Sequence, residues 1–401
     1  MKSLIVILTK DRPHTLYRCI QTIIKTNNHN STWLIIDDSN QKFCKQNFLI
    51  LQKFALWNNK IFHVTHKIRS YIIRTLEKEL DKELCDETFQ KTYTRDISGL
   101  RNLGLLCSVI LDSKITFLID DDIVIVKHNN FLNETILEHK IKSNCIIGTN
   151  LGGIIDESYF GRILYLIAKN LFSEWMKENL SNLEINEYKK HPLWLQPKKI
   201  ENIMHNKHAS GGLLAFKLNR QSVIPFPSGY NEDWNWCLLQ FMIKQTKIGH
   251  KKSGGQHIPP TFYSPTSRGM LWEQKGEVIF ESLNQINMKR KKMSVKTIQN
   301  EVKKTNALNE TIKEMEQAKK SLVEFLLKTS NKKQKNEIKQ EIKKISNVVK
   351  SLNSFTLTDL IESWFYNFEK RQILFSTIFK TKKLENTIMN IIKTSEIVKG
   401  K

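Results

Sequence analysis

The chain has 401 residues, 63 lysines and arginines against 40 acidic residues, and a formal net charge of +23. The length allows two or three domains with a sizeable core, and the positive excess asks for an anionic partner: nucleic acid, an acidic membrane surface or a phosphorylated substrate. No run of about 18 apolar residues predicts a transmembrane helix, and no pair of the six cysteines forms a C-x-x-C zinc or redox motif.

Leu4 to Leu8 reads as a buried strand, too short and too poorly flanked for a signal segment. The loop Thr9-Lys10-Asp11-Arg12-Pro13 follows. Leu16, Cys19, Ile20, Ile23 and Ile24 recur at helical spacing, with Pro13 near the start, where its missing N–H costs nothing. Trp33 to Ile36 is a second strand, ended by Asp37-Asp38-Ser39-Asn40, and Lys60 to Val64 a weaker third. A polar helical stretch runs from Ile68 to Leu84. Leu100, Leu103, Leu106 and Leu111 mark a helix leading to Ile115–Ile119, a short apolar run typical of a strand covered on both faces. This βαβαβ order predicts an α/β fold: a mainly parallel, Rossmann-like sheet with helices on both faces.

Farther on, Cys145 to Gly148 and Leu213 to Phe216 read as strands, and residues 160–205 carry helical patterning with a Trp/Pro-containing loop at His191–Pro197. All eight prolines lie at or before Pro265, and fourteen of fifteen glycines at or before Gly276. A turn-rich globular domain over 1–276 and a basic, all-helical domain over 277–401 are therefore expected. Residues 281–401 hold 26 basic and 13 acidic side chains, more than half the net charge. Ile361, Trp364, Phe365 and Phe368 form a stripe suited to packing on another helix, and the Lys/Glu mixture from Lys328 to Lys350 suits a solvated hairpin arm. Cysteines within apolar runs suggest reduced thiols and a cytoplasmic protein.

Two carboxylate clusters stand out. Asp120-Asp121-Asp122 closes the Ile115–Ile119 strand, where open α/β sheets bind ligands. Asp at a strand exit can simply shape a turn, whereas alternate aspartates suit a hard divalent ion. Glu232-Asp233 follows a Gly229-Tyr230 turn and precedes a Trp-rich helix. Acids there favour the helix dipole or serve as a general base.

Thr9–Pro13, Asp37–Asn40, Ser98-Gly99-Leu100-Arg101-Asn102, the Asp triplet and Gly229–Trp234, in this order and spacing, resemble a family 2 glycosyltransferase of the GT-A fold over about residues 3–265. The resemblance implies a nucleotide-sugar donor, a hydroxyl acceptor (glycan, lipid-linked sugar or protein), a Mn²⁺ or Mg²⁺ ion and an inverting transfer, although retaining enzymes share the fold. It implies that Asp120 and Asp122 hold the metal, with His257 (preferred over His250) as a further ligand, and that Asp120 and Asp121 touch the donor. Thr9 and Asp11 face the nucleoside, Asp37 or Asp38 recognises the base, and Arg101 lies near the diphosphate. Asp233, beside Glu232, is the implied base; Gly211, Gly212 and Trp234 are on the acceptor side. Ser39-Asn40 departs from the Gly-Ser usual after the two aspartates and weakens base recognition. Two other readings remain: a nucleotidyltransferase, disfavoured because Thr9–Arg12 lacks glycine, and a non-catalytic basic protein on an anionic partner. The lysine-rich tail has few aromatics and no reading motif, against nucleic acid; its basic helices suit peripheral contact with an anionic membrane face.

Overall fold

Alternation of side chains along a strand lets one apolar run serve two layers. Strand β1 (Leu4–Thr9) does this: Ile5 and Ile7 enter one core, Leu4, Val6 and Leu8 another on the opposite face. The computed structural model describes residues 3–25, 31–55, 60–89, 97–125, 145–154, 194–195, 212–258, 266–287 and 292–397. Its first half contains α1 (Pro13–Ile24), β2 (Thr32–Asp37), α2 (Gln41–Ala55), β3 (Lys60–Thr65), α3 (His66–Glu79), α4 (Lys82–Phe89), α5 (Ser98–Ile110) and β4 (Thr116–Asp120). Then come β5 (Ile123–Val124), β6 (Cys145–Ile154), β7 (Trp194–Leu195), β8 (Leu213–Lys217), α6 (Glu232–Lys244) and β9 (Lys247–His257).

These strands make one mixed sheet in the order β3-β2-β1-β4-β8-β6-β9-β5, with β7 on β6. The first four are parallel, and β8 runs antiparallel between β4 and β6. This is the expected α/β architecture with helices on both faces. α1 and α2 cover one face through Leu16, Ile20, Ile23, Leu51 and Phe54; α3, α4, α5 and α6 contribute to the other. α5 lies close on β1: a Cβ at Gly104 would come within 2.9 Å of Val6 Cγ1.

The polar helical stretch of the sequence reading divides into α3 and α4. Helix α2 was not anticipated, because Phe48 and Leu49 face outward and blur the helical period. The Gly254-Gly255 pair lies within strand β9. Gly255 is there for close approach: a Cβ would meet Ile123 Cγ2 at 2.9 Å. The 160–205 helical stretch, Gly211 and most of the His191–Pro197 loop fall outside the described residues.

Helices fill the rest: α7 (Ser267–Asn287), α8 (Val295–Val302), α9 (Ala307–Lys328), α10 (Lys332–Leu352), α11 (Leu357–Lys380) and α12 (Lys382–Lys393). α9 and α10 form a hairpin packed on α7 around Met315, Leu322, Ile338 and Ile345. The stripe Ile361, Trp364, Phe365 and Phe368 of α11 joins the same core as Leu4, Val6 and Leu34 of the sheet. After α12 the chain covers the free edge of β3, with His63 N donating to Ser395 O (2.9 Å) and Ile397 N to Ile61 O (2.8 Å). Among the described residues no helix is long and apolar enough to cross a membrane.

Candidate active site

Parallel pairing sets the position of the site. β1 registers Thr9 with Asp37 of β2 and Leu8 with Asp120 of β4, so the carboxyl ends of three strands share one edge. Thr9 Oγ1 donates to Asp121 Oδ2 (2.6 Å) across that edge. After the aspartates the chain turns into β5, which pairs Ile123 with His257 at the end of β9. Ile258 N donates to Asp122 O (2.9 Å), and His257 Nε2 lies 3.5 Å from Asp122 Oδ2. Asp122 and His257 are thus brought together by strand pairing, whereas His250 registers with Gly148 farther along β9.

Arg101 is the hub. Three per cent of its side chain is exposed, and its guanidinium reaches Asp120 Oδ2 (3.1 Å), Glu232 Oε1 (3.1 Å) and Asp233 Oδ2 (3.8 Å). Two motifs more than a hundred residues apart therefore meet on one cation. Arg12, at the end of the β1 loop, plays the same part for the other two aspartates, at 2.7 Å from Asp121 Oδ1 and 2.9 Å from Asp122 Oδ2. The sequence reading gave Arg12 no role; its place directly before an N-terminal helix proline was the available signal.

Five carboxylates thus face two guanidiniums and one imidazole, and burial magnifies the imbalance. Burial pushes Asp120 up to about 6, reinforced by Asp122 and Asp233 and opposed by Arg101. It pushes Asp121 up to about 7, with Asp122 adding and Arg12 opposing. At Asp122 burial acts in the same direction, but His257 and Arg12 outweigh it and hold the carboxyl well below the usual range. Asp120, Asp122 and His257 do not converge as a three-donor set within 4.8 Å among the described residues; a hard divalent ion at this surplus of carboxylates would be held by Asp122 and His257, with Asp120 on the same turn.

Glu232 and Asp233 begin α6 behind a strained turn, with Gly229 at φ 105° and Asn231 at φ 58°. Asn231 Nδ2 donates to Glu277 Oε2 (2.6 Å). The turn hangs from the far end of the chain: Trp364 Nε1 donates to Ser228 O (2.8 Å), and Arg371 Nη1 to Phe226 O and Ser98 Oγ (both 2.8 Å). Asn102 clamps the same Phe226 peptide, accepting from its N–H (2.7 Å) and donating to its carbonyl (3.1 Å). Ser98 and Asn102 flank Arg101 on α5, so α11 steadies both sides of the hub. The sequence reading held Ser98 and Asn102 in a motif without a role of their own and Trp364 only in a packing stripe, and Arg371 went unremarked.

The remaining expected residues divide between strand-end loops and the interior. Asp11 joins the loops that follow β1 and β2: its N–H donates to Ser39 Oγ (2.7 Å) and its Oδ1 accepts from Asn40 N (2.8 Å). Asp38 pairs with Arg69 and with Lys10 at 3.3 Å. Asp37 is buried beneath α2, where Oδ2 accepts from Asn47 (2.9 Å) and lies 2.8 Å from His63 Nε2, and Oδ1 accepts from Ser39 N (2.9 Å). Burial opposes ionisation of Asp37, yet His63, Ser39 and Asn47 together lower it. With Cys44, these residues form Asp37–Cys44–His63, the one three-donor cluster within 4.8 Å among the described residues. Burial beside Asp37 pushes the Cys44 thiol up to about 11. Gly212 O accepts from Asp120 N (3.0 Å), placing the end of the small-residue segment beside the triplet. Trp234 packs on Phe280, centroids 5.0 Å apart, and Trp236 is a core residue whose Nε1 donates to Ile224 O (2.8 Å).

The sequence matches no family model and no curated protein. Among solved structures, Staphylococcus aureus TarS 1–349 in complex with UDP-GlcNAc is similar at 12% identity and a TM-score of 0.38, covering 97% of this chain and 92% of that one. Core-mannan synthase A (CmsA/Ktr4) from Aspergillus fumigatus, in its Mn/GDP form, matches at 8% identity and a TM-score of 0.24, covering 54% of this chain and 59% of that one. The mannosyltransferase Ktr4p from Saccharomyces cerevisiae, in complex with GDP, matches at 11% identity and 0.24, covering 54% and 57%. Likeness at this level decides neither activity nor substrate.

Proposed function

We propose that the chain is a glycosyltransferase that moves a sugar from a nucleotide-diphosphate donor to a hydroxyl acceptor, with metal dependence and inversion. The observation that carries this reading is the convergence of Asp120 and of Glu232 and Asp233 on buried Arg101, at the carboxyl edge of parallel strands. A strand-exit turn needs no such partner, and helix-dipole acids need no remote arginine. A hydroxyl group is a poor nucleophile, so an inverting transfer needs a carboxylate on one side of the sugar and charge stabilisation on the other.

In this reading Asp233 takes the acceptor proton as the acceptor oxygen bonds to the anomeric carbon and the nucleoside diphosphate departs. Arg101, already engaged by Asp120, Glu232 and Asp233, positions those carboxylates for the transfer. Thr9 and Asp11 line the nucleoside side, and Asp38 is the base-recognising acid. A Mn²⁺ or Mg²⁺ ion held by Asp122 and His257 would neutralise the charge growing on the leaving group.

Thermal melts with a set of nucleoside diphosphates test this. A productive nucleotide should raise Tm in the presence of Mn²⁺; saturation at about a hundredfold over Kd contributes about 2.7 kcal/mol. Asp122→Asn should abolish the shift, and Asp233→Asn should keep the shift and lose transfer. No response to any nucleotide with metal would instead favour a non-catalytic protein on an anionic partner, and undiminished transfer by Asp233→Asn would remove its role as base.

A further inference from the structure

The charge on the C-terminal hairpin is sorted by face. On α10, Lys332, Lys339, Lys343 and Lys350 are all exposed. At 3.6 residues per turn their positions fall within about 40° of one another, a straight stripe about 27 Å long. The helix's glutamates lie away from it: Glu341 is buried on the opposite side and pairs with Lys344. None of the four stripe lysines has a carboxylate partner among the described residues. The opposite face is committed to folding through Ile338, Ile345, Val348 and Val349.

The turn of the hairpin adds an apolar element. Leu327 is 80% exposed and Val323 39%. Lys328, Lys332, Lys333 and Lys335 follow, with no acidic residue between Glu324 and Glu337. Lysines and no arginine populate residues 313–350, eleven of them against five glutamates. Lysine acts as a hydrated point charge; the planar forks that read phosphates and bases belong to arginine. The one aromatic of the hairpin, Phe325, packs towards the core, leaving no exposed ring for base stacking. A straight row of lysines on α10, with an exposed leucine in the last turn of α9 before it, matches a surface that is anionic in one plane and apolar just beneath it.

We propose that the outer face of α10, with the 323–335 tip, is a docking surface for an anionic lipid bilayer. The stripe lies along the headgroups and Leu327 enters the headgroup–acyl boundary. The proposal stands on the hairpin alone and is independent of the transferase reading.

Co-sedimentation of the full chain with vesicles tests it. Phosphatidylcholine vesicles containing phosphatidylserine should bind the protein, and pure phosphatidylcholine should not; binding should fall with salt. The combined variant Lys332→Gln, Lys339→Gln, Lys343→Gln, Lys350→Gln should keep the parent melting temperature and lose about fivefold in affinity per lysine. Leu327→Ser should weaken binding while leaving its salt dependence in place. Absence of binding by the parent, or equal binding by the four-lysine variant, overturns the proposal. Tighter binding to duplex DNA than to anionic vesicles at the same ionic strength, lost in the same variant, replaces the lipid by nucleic acid.

Discussion

Gly276→Ala isolates the link between the helical region and the candidate base. Gly276 lies on α7, and a Cβ built there would sit 2.5 Å from Tyr230 O, 2.7 Å from Tyr230 Cβ and 2.9 Å from Tyr230 C. Ordinary contact begins at 3.4 Å, so helix or turn must retreat by about 0.9 Å. The turn yields reluctantly, because Gly229 and Asn231 hold positive φ, Asn231 is bonded to Glu277, and Trp364 holds Ser228. Overpacking of this kind costs about 1–3 kcal/mol, or about 1–4 °C in Tm for a chain of this length. The larger effect falls on Glu232 and Asp233, which follow directly: a shift near 1 Å in a reacting group lowers turnover by about a hundredfold. Donor turnover and a thermal melt, run on the same preparation, check both numbers. Turnover within twofold of the parent, alongside the expected loss in Tm, would show that the placement of this turn does not govern the chemistry.

Three other perturbations have worked directions. Arg101→Met leaves Asp120, Glu232 and Asp233 facing one another without their shared cation, which should cost about 3–5 kcal/mol near neutral pH; melts at falling pH should show the deficit shrinking as the carboxyls protonate, and a deficit constant with pH counts against the hub. Burial, with Glu281 and Glu314 adding, pushes Glu277 from its ordinary value of 4.5 up to about 7. Its folded pKa is raised, so its contribution is fully present below 4.5 and is lost as pH rises through 4.5 to 7. Glu277→Gln should therefore match the parent below this window and exceed it above, by about 1–2 kcal/mol after allowing for partial solvent screening. A chain ending near residue 280 removes Trp364, Phe365, Phe368, Leu374, Phe375 and Ile378 from a core shared with β1 and β2; it should be insoluble or lack a cooperative melt, and a soluble, cooperatively melting fragment would show that the first 280 residues fold alone.

Local sequence carried much of the architecture because strand and helix periods are local properties. Leu4–Leu8, Trp33–Ile36 and Phe117–Ile119 are apolar without interruption, and each lies in an interior strand of the sheet. The Asp triplet was visible for the same reason, since a carboxylate run at a strand exit stands out against the apolar run before it. β9 escaped because its lysines and paired glycines carry no strand pattern; its conformation comes from pairing with β6 and β5. α2 escaped because two of its large apolar side chains are solvent-facing.

Partnership was decided by the tertiary structure. Nothing local distinguishes Arg101 from a surface helix arginine; its burial between Asp120 and Glu232 requires β4, α5 and α6 to converge. Trp364 and Arg371 read locally as an apolar stripe and a basic residue on a late helix, yet they hold the peptide segment carrying the candidate base. Residue type and period are properties of a few neighbouring positions, so the sequence by itself determined β1 to β4, β6, β8, most helices and the acidic motifs. Which charge meets which depends on contacts spanning from 19 residues for Arg101 and Asp120 to 273 for Arg371 and Ser98, and those separations are closed only when the sheet and its helices are assembled.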